Sequence, residues 1–133
     1  PAITISTLDL ARLEHLLDQP AYRDMDIAQH LADELVRANV VEPSKMPADV
    51  VTMNSAVTYT EEISGVEHHM TLVYPAQADA ANGRISVLAP IGAALLGLSI
   101  GQSIDWIGPN GRELRVRVTA ISYQPEAAGN FTS

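Results

Sequence analysis

The sequence predicts an α+β fold: a short antiparallel helical hairpin over residues 1–43, then over 44–133 an antiparallel sheet of about five strands with one short helix. Three observations carry this. Leucines recur at helical spacing in the first third, and after "EPSKMP" the apolar period changes to two. The most apolar stretch, "APIGAALLGLSIGQSI" (residues 89–104), opens on Pro90 and is broken by Gly92, Gly97 and Gly101, so it cannot be one long helix.

The first helix is "STLDLARLEHLLDQ". Ser6 with Asp9 three residues on makes a capping pattern, and Leu10, Leu13 and Leu17 form a stripe that Pro20 ends. The second is "DMDIAQHLADELVRANV", with Asp24 and Asp26 at its start, Ile27, Leu31 and Leu35 as its stripe, and Asn39 and Pro43 past its end. Arms of roughly 12 to 15 residues at ~1.5 Å each are about 20 Å long.

"DVVTMNSAVTYTEE" and "VEHHMTLVYP" are extended runs rich in Val and Thr, separated at Ser64 and Gly65 as in a hairpin. "RISVLAP" is a third strand. Pro90 to Leu96 suits a short helix with Pro in its first turn and Gly97 at its end. "SIDWIG" and "ELRVRVTAISYQ", joined around "GPNG", complete a second hairpin.

Composition excludes several classes of function. The 133 residues contain no cysteine, which removes thiolate metal sites, disulfides and thiol nucleophiles and suits the cytoplasm. The longest apolar stretch is interrupted by glycine, and the sequence shows no signal-peptide pattern, so neither a leader nor a membrane span is expected. A net charge of −8 argues against autonomous nucleic-acid binding, which needs clustered bases. Residues 1–45 and 46–133 each carry eight acids and four bases, so charge marks no boundary. Arg112, Arg115 and Arg117 read as the solvated face of a strand.

Sites for chemistry are sparse. There is no G-x-x-x-x-G-K-[ST], G-x-G-x-x-G or G-x-S-x-G. His68 and His69 point to opposite strand faces and cannot chelate one metal together. His15 and His30 are placed to meet across the hairpin but lack a clear third ligand. Neither a metal nor any other cofactor is expected, and the chain is read as a monomer.

Within this frame, "ISVLAPIGAALLGLSIGQSIDW" resembles the signature of the C-terminal domain of the Gre-type transcript cleavage factors. "VVTMNS", "TLVYPA", "APIGAALLGL" and "YQPEAAG" together resemble the family called regulator of nucleoside diphosphate kinase. The resemblance implies an FKBP-like sheet domain preceded by a short coiled coil, binding bacterial RNA polymerase at the rim of its secondary channel. Gre factors dock there through the sheet domain and send a long coiled coil inward, where tip acids help hold a metal for cleavage.

This sequence departs twice from that pattern. The arms are short, and the tip, "LDQPAYRDMD", offers Asp24 and Asp26 in place of a D-x-x-E pair. The resemblance therefore implies a non-enzymatic competitor of Gre-type factors that does not stimulate cleavage. The acid, small residue and proline of the Gre docking loop fall on Leu88, Ala89 and Pro90, which makes Ala89, Pro90 and Ile91 the implied polymerase contacts and docking more apolar. Leu95 and Leu96 belong to the core. The family name records an effect on another enzyme, and nothing in these residues transfers phosphate. An alternative is a peptidyl-prolyl isomerase using the FKBP-like cleft, although such a pocket is lined with aromatics and this chain has one Phe, one Trp and four Tyr.

Overall fold

The computed structural model describes residues 3–107 and 113–131. It begins with strand β1 (Thr4–Ser6), followed by helices α1 (Thr7–Leu17) and α2 (Asp26–Val36) and strand β2 (Asn39–Val41). The two strands pair in parallel, Ile5 opposite Val40, and close the base of the helical hairpin. Neither was expected from the sequence, because a three-residue strand is too short to display alternation.

Ser6 caps α1 as its spacing predicts, its Oγ accepting the Asp9 N–H at 3.0 Å. The buried stripe of α1 is Leu13 and Leu16, while Leu10 and Leu17 are half-buried. On α2 the buried positions are Ala28, Leu31 and Leu35. Each helix has 11 residues, about 16 Å at ~1.5 Å per residue, shorter than the sequence suggests.

Five strands form the main sheet in the order β5-β4-β3-β7-β6: β3 (Ala56–Glu61), β4 (Glu67–Val73), β5 (Arg84–Ser86), β6 (Ser103–Ile107) and β7 (Glu113–Tyr123). Three of the four pairings are antiparallel, but β4 and β5 run parallel, contrary to the wholly antiparallel sheet expected. The reason lies in the connection. Short 3₁₀ turns at Pro75–Gln77 and Ala80–Asn82 carry the chain back along β4 before β5 begins, and Gly83 at φ 73° makes the last reversal.

The run "DVVTMNS" is not strand either. Thr52 donates its N–H to Ser55 Oγ at 3.0 Å, and Asn54 takes the left-handed φ of 67°. A side-chain bond of this kind offers the backbone an alternative to the ladder. The β3–β4 turn lies where Ser64 and Gly65 place it, with Gly65 N–H donating to the Glu61 carbonyl at 2.7 Å. The "GPNG" turn and Arg112 lie outside the described residues.

Helix α3 (Pro90–Leu95) has Pro90 in its first turn and Leu96 as its C-cap, followed by Gly97, whose φ is 80°. A methyl group on Gly97 would strike the Ile3 side chain, and one on Gly92 would strike the Ser86 carbonyl oxygen. These two glycines let β1 and α3 seat against their neighbours. One buried cluster then joins Leu13, Leu31 and Leu35 of the helices to Leu72, Val116 and Leu95 of the sheet and α3. Residues on both sides of position 43 thus share a core.

Candidate functional site

The turn from β5 into α3 is held by three bonds. Val87 N–H donates to the Val73 carbonyl at 2.9 Å, Leu88 N–H to Ser86 Oγ at 3.0 Å, and Ala89 N–H to the Ser86 carbonyl at 3.0 Å. Ala89 is the N-cap of α3, and no side chain among the described residues caps that helix. Ala89, Pro90 and Ile91 are half-buried, whereas Gly92, Ala94, Leu95 and Leu96 are buried. Leu88 is a core residue, 8% exposed. Apolar surface at this loop therefore comes mainly from Ala89, Pro90 and Ile91, and Leu88 adds little.

At the other end, the α1–α2 turn is a run of tight backbone bonds: Gln19 N–H to the Leu16 carbonyl, Tyr22 and Arg23 N–H to the Gln19 carbonyl, and Met25 N–H to the Tyr22 carbonyl. Tyr22 packs against the core. Asp24 and Asp26 are both exposed, with exposed Arg23 and Met25 beside them. Asp26 is in the first turn of α2, where its charge suits the helix dipole, but the N-cap is Met25 and no side chain caps the helix. Among the described residues no three His, Asp or Glu gather as a metal set.

His15 and His30 line different grooves. His15 borders an open groove of about 490 Å³ with Arg12, Gln19 and Tyr74, while His30 lies in another, beside Ile3, Ala93 and Ile104. His68 and His69 do divide between faces: His68 stacks on Tyr59 with ring centroids 5.1 Å apart, and His69 Nδ1 lies 2.9 Å from Thr58 Oγ1. Arg115 is bonded to Asp105 at 2.7 Å and Arg117 to Glu62 at 3.2 Å, both in solvent, as expected for a solvated strand face.

Sequence reasoning missed a buried polar cluster that ties the chain together. In a full capping box Asp9 would reach back to the Ser6 N–H. Instead, fully buried, its Oδ2 accepts the Met53 N–H at 3.2 Å. Burial pushes the Asp9 carboxyl up to about 7; the Met53 bond opposes this, Glu126 adds to it and Arg12 opposes it. Nearby, Thr52 Oγ1 donates to Glu126 Oε1 at 2.8 Å, which leaves the Ser55 hydroxyl to donate to Thr52 Oγ1 at 2.8 Å. Gln124 Nε2 donates to the Pro47 and Val50 carbonyls at 2.8 and 2.7 Å. Thr52 and Ser55 are closed to solvent, so this cluster fastens the segment after β7 and offers no substrate a nucleophile. The signal available beforehand was an acid at the third helical position facing the same side as Leu13 and Leu16.

Two family descriptions match the chain: "Rnk N-terminus" over residues 1–41, and "Transcription elongation factor, GreA/GreB, C-term" over residues 46–123. The chain is 48% identical over 131 residues to the "Regulator of nucleoside diphosphate kinase" of Escherichia coli strain K12, covering 98% of this chain and 96% of that protein. It is 32% identical to a "Transcription elongation factor GreA" of Nitrobacter winogradskyi, covering 71% of this chain and 59% of the longer relative. Among solved structures, the "Prokaryotic transcription elongation factor GreA/GreB from Nitrosomonas europaea" superimposes with a TM-score of 0.76 at 46% identity, covering 92% of this chain and 99% of that one.

Proposed function

The chain belongs to the regulator of nucleoside diphosphate kinase family, a Gre-related group of transcription factors, and from that premise we propose that it binds bacterial RNA polymerase near the secondary channel. It acts there as a non-enzymatic modulator of elongation, competing with Gre-type factors and not stimulating transcript cleavage. The Ala89, Pro90 and Ile91 loop makes the contact, on a sheet domain of the FKBP-like type. The hairpin serves as a short coiled coil.

One observation carries this reading. Each hairpin arm has 11 residues, about 16 Å, and its buried stripe, Leu13 and Leu16 with Leu31 and Leu35, is committed to the core. Such a hairpin has no length free to enter a channel. Its tip acids, Asp24 and Asp26, project from a body that stays outside.

The test uses purified chain, RNA polymerase and backtracked elongation complexes. The expected result is binding, no added cleavage, and dose-dependent inhibition of cleavage by an added Gre factor. Robust cleavage, or effects of the two proteins that simply add, overturns the proposal.

A further inference from the structure

The helical hairpin has an open flank beside the buried stripe. There Leu10 and Leu17 of α1, two turns apart, face Ala32 and Val36 of α2 across a groove of about 310 Å³ floored by Leu35. Leu10, Leu17 and Ala32 are only half-buried and Val36 is 87% exposed. An isolated exposed valine is ordinary, but apolar residues lining a continuous groove on two helices point to an interaction surface.

The charge around this groove has one sign. Among the described residues its remaining lining is Glu14 of α1 and Asp18 at the end of that helix, both exposed, and none is basic. Asp18 is also the C-cap of α1, so the last carbonyls of that helix add negative potential at the same end. Arg37, the C-cap of α2 next to Val36, is bonded to Glu34 at 2.7 Å. With a net charge of −8 the whole chain favours a cationic visitor.

We propose that this groove docks an amphipathic, basic α-helix of a partner protein. The groove between two antiparallel helices accepts a third helix with apolar residues at i, i+3, i+4 and i+7, set between Leu10, Leu17, Ala32 and Val36. Lysines or arginines flanking that stripe meet Glu14 and Asp18. The surface shares no residue with the loop at Ala89, Pro90 and Ile91.

The probe is a synthetic peptide of about four helical turns, with leucines at those positions and lysines on both flanks, compared with a glutamate-flanked version of the same sequence. Binding is followed by amide chemical shifts of labelled protein. The lysine peptide is expected to bind and to perturb α1 and α2, with affinity falling as salt rises. Glu14→Lys with Asp18→Lys is expected to weaken it roughly tenfold and to favour the glutamate peptide. Both positions are exposed, so thermal stability is expected to hold. If the variant does not fold, the salt titration of the unaltered protein decides alone. Failure to bind, affinity indifferent to salt or to charge reversal, shifts confined to other elements, or a concentration-dependent dimer occupying the groove would each overturn the proposal.

Discussion

Replacing Asp9 by Asn is expected to make the protein more stable above neutral pH and to remove most of its pH dependence between about 5 and 7. Asp9 is buried, and its carboxyl is raised from 3.8 to about 7. Over that interval the folded chain keeps a proton that the unfolded chain has lost. Stability from this group is therefore complete below about 4 and is lost as pH rises through about 7. At ~1.4 kcal/mol per pH unit, the full interval corresponds to about 4 kcal/mol, and the part between pH 5 and 7 to about 2 to 3. Asn has no such proton to lose, and its amide oxygen can still accept the Met53 N–H now bonded to Asp9 Oδ2 at 3.2 Å. Urea unfolding of both proteins at half-unit steps from pH 5 to 8.5 measures the effect. The original chain should lose stability up to about pH 7 and then level off, while Asp9→Asn should stay nearly flat. A parent protein whose stability is constant or rises between pH 5 and 7, or a variant less stable than its parent at pH 8, would refute the reasoning.

Leu31, 1% exposed, contacts the cluster that also holds Leu72 and Val116, so Leu31→Ala should cost ~2 to 5 kcal/mol. Helix and sheet signals are expected to melt together; a sheet signal surviving the loss of the helices would show that the shared core does not couple them. At the loop proposed for docking, Pro90→Asn is expected to weaken polymerase binding with little change in melting temperature, since proline pre-sets the first turn of α3. Gly92→Ala, whose methyl would collide with the Ser86 carbonyl, should lower melting temperature first and binding only as a consequence. Unaltered affinity in folded Pro90→Asn would remove that loop from the interface.

Leucine spacing, the Ser6–Asp9 cap, the period-two runs and the Pro90 and Gly97 punctuation are local features, and the sequence alone determined the elements they describe. It determined the α+β class, both hairpin helices with their short reach, α3 and the β3–β4 hairpin, because periodicity and turn chemistry act within a few residues. The family resemblance was legible for a related reason: "APIGAALLGL" encodes a tight proline turn and two glycines whose missing side chains let Ser86 and Ile3 approach. Distant pairing was not legible. Strands β1 and β2 are three residues each and exist through one another, and β5 is parallel to β4 only because of the path taken between them. Asp9 looks like half of a capping box until Met53, 44 residues away, supplies its partner. Likewise Leu88, in place of the Gre loop's acid, suggests a more apolar contact until its burial shows it facing inward. Tertiary structure alone decided these, since burial and long-range hydrogen bonding depend on which surfaces meet, and no residue carries that information by itself.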